Sequence, residues 1–152
     1  MVRGTLMTLV LSLLLSCGES VPGLAPTVSF DGLSAADIAT VHMAVLEPQM
    51  KSGTFTGCAH LTEYYSSAFA DASARNDIFA TDFEVVVQSA DLVVAADAEI
   101  SFKDMPVGEN YFLFGAAYSA LTLVGIGCVE NLEIKSDETT SAQLTIYTYP
   151  GD

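Results

Sequence analysis

Alternation of apolar and polar residues at every second position dominates the second half of this 152-residue chain. Successive side chains of a strand point to opposite faces, so this period indicates strands with one apolar face. Turn-forming residues, as in 104–108 and 135–139, separate the alternating stretches. The strands that we predict in this half are residues 83–87, 92–96, 99–103, 111–118, 121–130, 131–135 and 141–149.

The first half of the chain gives a less regular pattern. Val41, Met43 and Val45 share one face of a predicted strand, and residues 54–60 are predicted as a short strand that carries Cys58. Residues 61–75 suit a helix or a strand, and we predict a short helix there. Short strands at this spacing predict a mainly β fold, a sandwich or barrel, rather than alternating strand–helix units.

The N-terminus carries an export signal. Arg3 is followed by an apolar run over 6–15, which is the order of a positive n-region and an h-region. A membrane-spanning helix needs about 20 apolar residues, roughly twice the length of this run. We therefore predict that residues 1–16 are a signal peptide that is removed from the mature protein.

The end of this signal resembles the lipobox of bacterial lipoproteins. Leu14, Leu15 and Ser16 precede Cys17 in the order Leu, permissive residue, small residue, Cys. The resemblance implies a diacylglycerol on the Cys17 thiol, cleavage before Cys17, and a further acyl chain such as palmitate on the freed amine. Gly18 is not the Asp that retains lipoproteins at an inner membrane, so the resemblance implies an outer-membrane site. The alternative is a plain secretory signal with a free or disulfide-bonded Cys17.

The mature chain would begin with a tether. Small residues and prolines after Cys17 predict that 17–27 is the lipidated cysteine with a flexible linker. Residues 28–152 are then the single folded domain, which is long enough to bury a core.

The charge of the chain is strongly acidic. Removing Arg3 with the signal leaves four Lys and Arg against 19 Asp and Glu, a formal charge of −15. Nucleic-acid phosphates and anionic lipid headgroups both require Lys and Arg, so neither is an expected partner of the protein surface. The expected partner is the membrane, contacted through the lipid on Cys17.

If Cys17 is acylated, Cys58 and Cys128 remain as a pair in an exported chain. Disulfides persist in oxidising compartments, so we predict a disulfide between them. In the chain-entropy model, closing a loop of this size stabilises the fold by about 4 kcal/mol. The alternative is metal binding, for which the sequence offers no C-x-x-C spacing and only His60 as a nearby extra ligand.

A second resemblance covers residues 99–149. Here an apolar strand leads through Met105-Pro106-Val107-Gly108 into a strand that starts at Tyr111, and residues 126–130 are followed by two further apolar strands. This pattern resembles carboxypeptidase-regulatory-like, transthyretin-like domains of bacterial lipoproteins. The resemblance implies a single antiparallel β-sandwich of seven or eight strands, to which we add the short helix.

Catalytic motifs are weak in this sequence. His60 lies beside Cys58, but a Cys–His nucleophile pair requires a free thiol. His42 alternates with apolar residues and is predicted at the surface or rim. Gly125 and Gly127 lie in a predicted strand rather than in a dinucleotide loop, and no Gly-x-Ser-x-Gly elbow is present. We predict no enzymatic activity, no cofactor and no metal.

The aromatic strand 111–118 allows two interpretations. Phe112 and Phe114 share a face and are expected in the core, whereas Tyr111 and Tyr118, if exposed, would form a platform for a glycan or peptide. The predicted function is a non-enzymatic structural or protein-interaction module, with loops such as 104–110 meeting the partner. The alternatives are a module that binds carbohydrate or another envelope polymer, and an accessory domain of a secreted enzyme.

Overall fold

The structure, a computed structural model, describes residues 21–47, 49, 57–59, 62, 86–93 and 100–149. This part of the chain is mainly β and forms one mixed sheet that curls into a half-barrel. A 3₁₀ turn, Ala35–Asp37, joins the first two strands and begins at the cap Ser34. The strands are β1 (Gly23–Asp31), β2 (Thr40–Leu46), β3 (Val86–Val93), β4 (Phe102–Lys103), β5 (Gly108–Ser119), β6 (Thr122–Ile134) and β7 (Thr139–Thr148).

The strand order across the sheet is β3-β2-β5-β6-β7-β1-β4. Neighbouring strands are antiparallel except for β1 and β7, which run parallel over nine register pairs from Gly23–Thr139 to Asp31–Tyr147. The mainly β class is thus confirmed. All seven described strands belong to a single sheet, so the two-sheet sandwich is not confirmed.

Several predicted strands match the structure, and others merge. Strands β2, β5 and β7 contain the predicted strands 41–45, 111–118 and most of 141–149. The predicted pair 121–130 and 131–135 is one strand, β6, with a left-handed Asn131 (φ 60°) at an irregularity in its pairing with β5. Strand β3 continues through 88–91, which we predicted to separate two strands.

Two predicted elements between β2 and β3 have different outcomes. The predicted strand 54–60 is wrong at Cys58 and Ala59, which adopt helical backbone instead. The hydroxyl of Thr62 donates to the Cys58 carbonyl at 3.0 Å. The two residues are four apart in sequence, which is the separation of one helical turn. The predicted helix 61–75 lies outside the described residues except for Thr62.

The predicted tether is too long. Residues 23–27 belong to β1 and pair with β7 and β4, so the folded sheet begins at Gly23 rather than at residue 28. The prolines and small residues of this stretch resemble a linker, but the strand buries Leu24 completely. Its register with β7 supplies the hydrogen bonds that a linker would leave to water.

The concave side of the sheet, here called the inner face, holds the larger apolar core. Every described strand except β3 contributes at least one buried side chain to it, and Val87 and Leu92 of β3 pack against it. The alternation in β7 is regular, with Ala142, Leu144 and Ile146 inward and mostly exposed residues between them. The buried members are Leu24, Ile38, Val41, Met43, Val45, Phe102, Met105, Tyr111, Leu113, Ala117, Leu132, Ile134, Ala142, Leu144 and Ile146.

The opposite side, here called the outer face, is also buried in the middle of the sheet. Strands β2 and β5 are buried at almost every position, so both of their faces are covered. His42 lies on this face at 1% exposure, and its predicted surface position is therefore wrong. The buried members of the outer cluster are Ala44, Leu46, Phe112, Phe114, Ala116, Tyr118, Leu123 and Ile126.

Two glycines in the centre of the sheet permit its curl. A Cβ on Gly115 of β5 would lie 2.6 Å from Leu144 Cδ2, although β6 separates the two strands. Gly127 of β6, opposite Gly115, lies against the backbone carbonyl of Thr145. Without side chains at these positions, β7 folds over the inner face and places Leu144 in the core.

Candidate functional site

The two ends of the sheet differ in what they expose. The end at which β1 begins, with the loop 104–107 and the turn 135–138, is here called the near end. We call the far end the one that carries the β5–β6 turn at Ala120 and Leu121. Strand β5 runs the whole way between them, about 36 Å at roughly 3.3 Å per residue.

Backbone hydrogen bonds fix the start of the sheet at the near end. The amide of Met105 donates to the Pro22 carbonyl at 3.0 Å, and the amide of Gly23 donates to the Glu138 carbonyl at 3.2 Å. The chain is therefore held between the loop 104–107 and the β6–β7 turn from residue 22 onward.

Tyr111 closes the turn of the Met-Pro-x-Gly motif. Its hydroxyl donates to the Pro106 carbonyl at 3.1 Å, and its ring lies over Gly108, where a Cβ would come 3.0 Å from the hydroxyl oxygen. Burial of the ring and, to a smaller extent, the charge of Glu47 raise the pKa of Tyr111 above its ordinary value of 10.0. The motif therefore serves the fold, because its tyrosine is buried and bonded to the turn.

Both described Lys and Arg residues lie at the near end. Lys103 ends β4 beside Gly23, and Lys135 forms a 3.5 Å ion pair with Glu138 across the β6–β7 turn. Both partners of that pair are about half exposed, so it adds little stability. Val21 and Val107, at 48% and 59% exposure, are the strongly exposed large apolar side chains of this end.

The far end exposes a different set of apolar side chains. Val93 ends β3 at 73% exposure, Leu121 forms the β5–β6 turn at 76%, and Tyr147 lies at 56% beside the end of β1. These three and the two near-end valines are the strongly exposed large apolar residues of the described chain. Asp31 lies opposite Tyr147 at the end of β1, and Asp37 belongs to the 3₁₀ turn that follows.

The predicted disulfide between Cys58 and Cys128 is present, with the Cα atoms 5.5 Å apart. It joins the helical residues at 58–59 to the outer face of β6. The carboxylate of Glu130 accepts a hydrogen bond from the Cys58 amide at 2.9 Å, and Gly57 adopts a left-handed φ of 119° beside it. The segment is thus attached at two points, by a covalent bond and by a carboxylate at its first turn.

A histidine–aspartate pair lies on the outer face. His42 and Asp91 are directly opposite each other on β2 and β3, and Nδ1 of His42 lies 2.6 Å from Oδ1 of Asp91. At this distance the Nδ1–H donates to the carboxylate, which is partly exposed while the imidazole is buried. The pair joins edge strand β3 to the buried outer face.

The other predicted site residues have these positions. Cys17 and His60 lie outside the described residues. Tyr111 and Tyr118 are buried, on the inner and outer face respectively, so they do not form an exposed platform. Within the described ranges no group of three His, Cys, Asp or Glu side chains is arranged to hold a metal ion, and no helix is long and apolar enough to cross a membrane.

No family model, curated protein or solved structure matches this chain.

The His42–Asp91 pair and the Glu130–Cys58 contact are absent from the sequence-based predictions. Their partners are 49 and 72 residues apart, so local pattern gives no signal for either. The exposed far-end residues lie at strand ends and in a turn, where a single sequence does not separate exposed from packed apolar residues.

Proposed function

We propose that this protein is a lipid-anchored, non-enzymatic module of the bacterial cell envelope, held at the outer membrane, that binds a protein partner with the far end of its sheet. The anchor rests on the resemblance of residues 14–17 to a lipobox. The observation that carries partner binding is the exposure of Val93, Leu121 and Tyr147 at one end of the sheet.

Exposed apolar groups at one end favour a protein interface for a physical reason. Three of the five strongly exposed large apolar side chains of the described chain lie at this end, and apolar and aromatic residues are typical of the centre of an interface. Asp31 and Asp37 near this rim are acidic, so a partner with Lys or Arg around an apolar centre has the complementary charge.

A structural role also accounts for the residues with catalytic potential. Cys58 is bonded to Cys128, so it has no thiol to act as a nucleophile beside His60. The hydrogen bond between His42 Nδ1 and the Asp91 carboxylate orients the imidazole towards strand β3. The glycan-binding alternative loses the tyrosine pair on which it depends, since both rings are buried.

We further propose kinship with transthyretin-like sandwiches. In support, the turn of the Met-Pro-x-Gly motif is closed by the Tyr111 hydroxyl, and β2 and β5 are buried on both faces, as the central strands of a two-layer fold are.

The anchor is tested by a Cys17→Ser variant in its bacterial host. We expect the parent protein to fractionate with membranes and to carry acyl mass on Cys17, and the variant to lose both. Ser20→Ala, a nearby change outside the motif, should behave like the parent. Membrane association of Cys17→Ser equal to that of the parent would contradict the proposal.

Partner binding is tested by crosslinking in intact cells. We expect the double variant Leu121→Asn, Tyr147→Ser to lose a discrete crosslinked species that the parent forms, because the apolar contact area of the interface is removed. Val107→Asn makes the same kind of change at the near end and should keep that species. Equal crosslinking by all three proteins would refute the far end as the interface.

A further inference from the structure

We infer that the near end of the sheet faces the bilayer and that the far end points away from it, because the tether is too short for the reverse orientation. This inference rests on the proposed lipid anchor at Cys17. The anchor supplies the attachment point, and the position at which the sheet begins supplies the orientation.

The available reach excludes the reverse orientation. Pro22 is fixed to the loop 104–107 through its hydrogen bond from Met105, and Gly23 is fixed to the β6–β7 turn. Five peptide units separate Cys17 from Pro22, and even fully extended they span at most about 18 Å. The far end lies about 36 Å further along the strands, beyond this reach.

The side chains at the two ends agree with this orientation. At the near end, Val21 and Val107 are exposed where a bilayer interface would meet them. Lys103 and Lys135 also lie at this end. Acidic residues are also present there, among them Asp104 and Glu138, so the expected surface is zwitterionic rather than anionic. The apolar rim at the far end is then turned to the surrounding space.

The orientation is tested by energy transfer from the protein to the membrane surface. A bioorthogonal amino acid at position 107 or position 121 carries the donor dye, since both native side chains are strongly exposed. Lipidated protein extracted from membranes is reconstituted in phosphatidylcholine vesicles with a headgroup-linked acceptor. We expect transfer from position 107 to exceed that from position 121 several-fold. Equal or reversed efficiencies would overturn the inference.

A longer tether tests whether the short tether causes the orientation. Twenty Gly and Ser residues inserted between Ser20 and Val21 add a coil of about 25 Å root-mean-square length. The difference between positions 107 and 121 should then fall by at least half, and an unchanged difference would overturn the short tether as its cause.

A coupled chain separates this inference from the anchor itself. With the Cys58–Cys128 disulfide formed, Cys17 is the single thiol of the chain from residue 17 onward, and all described strands lie within that chain. Coupling Cys17 to a maleimide phospholipid imposes the same attachment point. If the extracted protein carries no lipid, the proposed anchor fails. Energy transfer from positions 107 and 121 of the coupled chain then still tests the orientation. Greater transfer from position 107 supports it, and equal or reversed efficiencies overturn it.

Discussion

The inner and outer faces of the sheet are held together by different means. The inner face is closed by side chains from all seven strands, and the approach of β7 to β5 depends on glycines that leave room for Leu144. The outer face is buried over β2, β5 and the adjoining part of β6, and it is tied to the segment at Cys58 by a bond that closes 70 residues of chain. Packing therefore specifies the inner face, whereas a crosslink and a carboxylate attach a distant segment to the outer face.

Removing the disulfide should give the largest loss of stability. The double variant Cys58→Ser, Cys128→Ser should lower the free energy of unfolding by about 4 kcal/mol, because the unfolded chain regains the entropy of an open loop of this length. The measurement is denaturant unfolding of the variant and of the oxidised parent. Adding reductant should destabilise the parent alone. A loss below about 1 kcal/mol would mean that packing holds the outer face as well.

Substituting a glycine of the inner face should give the second-largest loss of stability. Gly127→Ala should cost about 3 kcal/mol, because the new methyl group meets the Thr145 carbonyl, which is backbone and cannot turn aside. Gly115→Ala is the matched control and should cost about 1 kcal/mol, since its methyl meets the movable end of Leu144. Both are compared by denaturant unfolding midpoints. Equal losses for the two variants would refute backbone approach as the cause of the curl.

Tyr111→Phe, at the near end of the inner face, should have an effect as small as that of Gly115→Ala. Loss of the hydrogen bond to Pro106 should cost about 1 kcal/mol. Burial raises the pKa of Tyr111, with a smaller contribution from Glu47, so the native state keeps the hydroxyl protonated above pH 10.0 while the unfolded chain ionises. The native state then binds more protons, and the stability that is complete below pH 10.0 falls as the pH rises through the folded pKa.

The same variant tests that pH dependence. The unfolding midpoint of the parent should fall more steeply above pH 10.0 than that of Tyr111→Phe, because phenylalanine does not titrate. Parallel curves for the parent and Tyr111→Phe would show that burial of Tyr111 does not affect its ionisation.

The sequence predicted the parts of this fold that local chemistry specifies. The turn at 135–139 and the strands on either side of it follow from turn residues and period-two alternation, and the structure contains them. The disulfide followed from counting cysteines in a chain with a predicted export signal. Alternation also assigned Phe112 and Phe114 to one face, where both are buried.

Long-range contacts explain what the sequence did not predict. Strand β1 contains Pro26, which lacks an amide donor, and its hydrogen-bonding partner β7 lies 116 residues away. Alternation shows which residues share a face, but it does not show whether that face is covered. His42 was therefore assigned to the correct side of β2 with the wrong exposure.

The parallel pairing of β1 with β7 has a mechanical consequence. Strand β1 is the first described strand, and β7 ends at the far end, so with the proposed lipid anchor and far-end partner, tension would pull the two strands in opposite directions along their length. The hydrogen bonds between the two strands lie across the direction of this force and share it. In a hairpin pulled apart at its open end, by contrast, the hydrogen bonds break one at a time. Under such a force, the pairing of β1 with β7 would be loaded in shear.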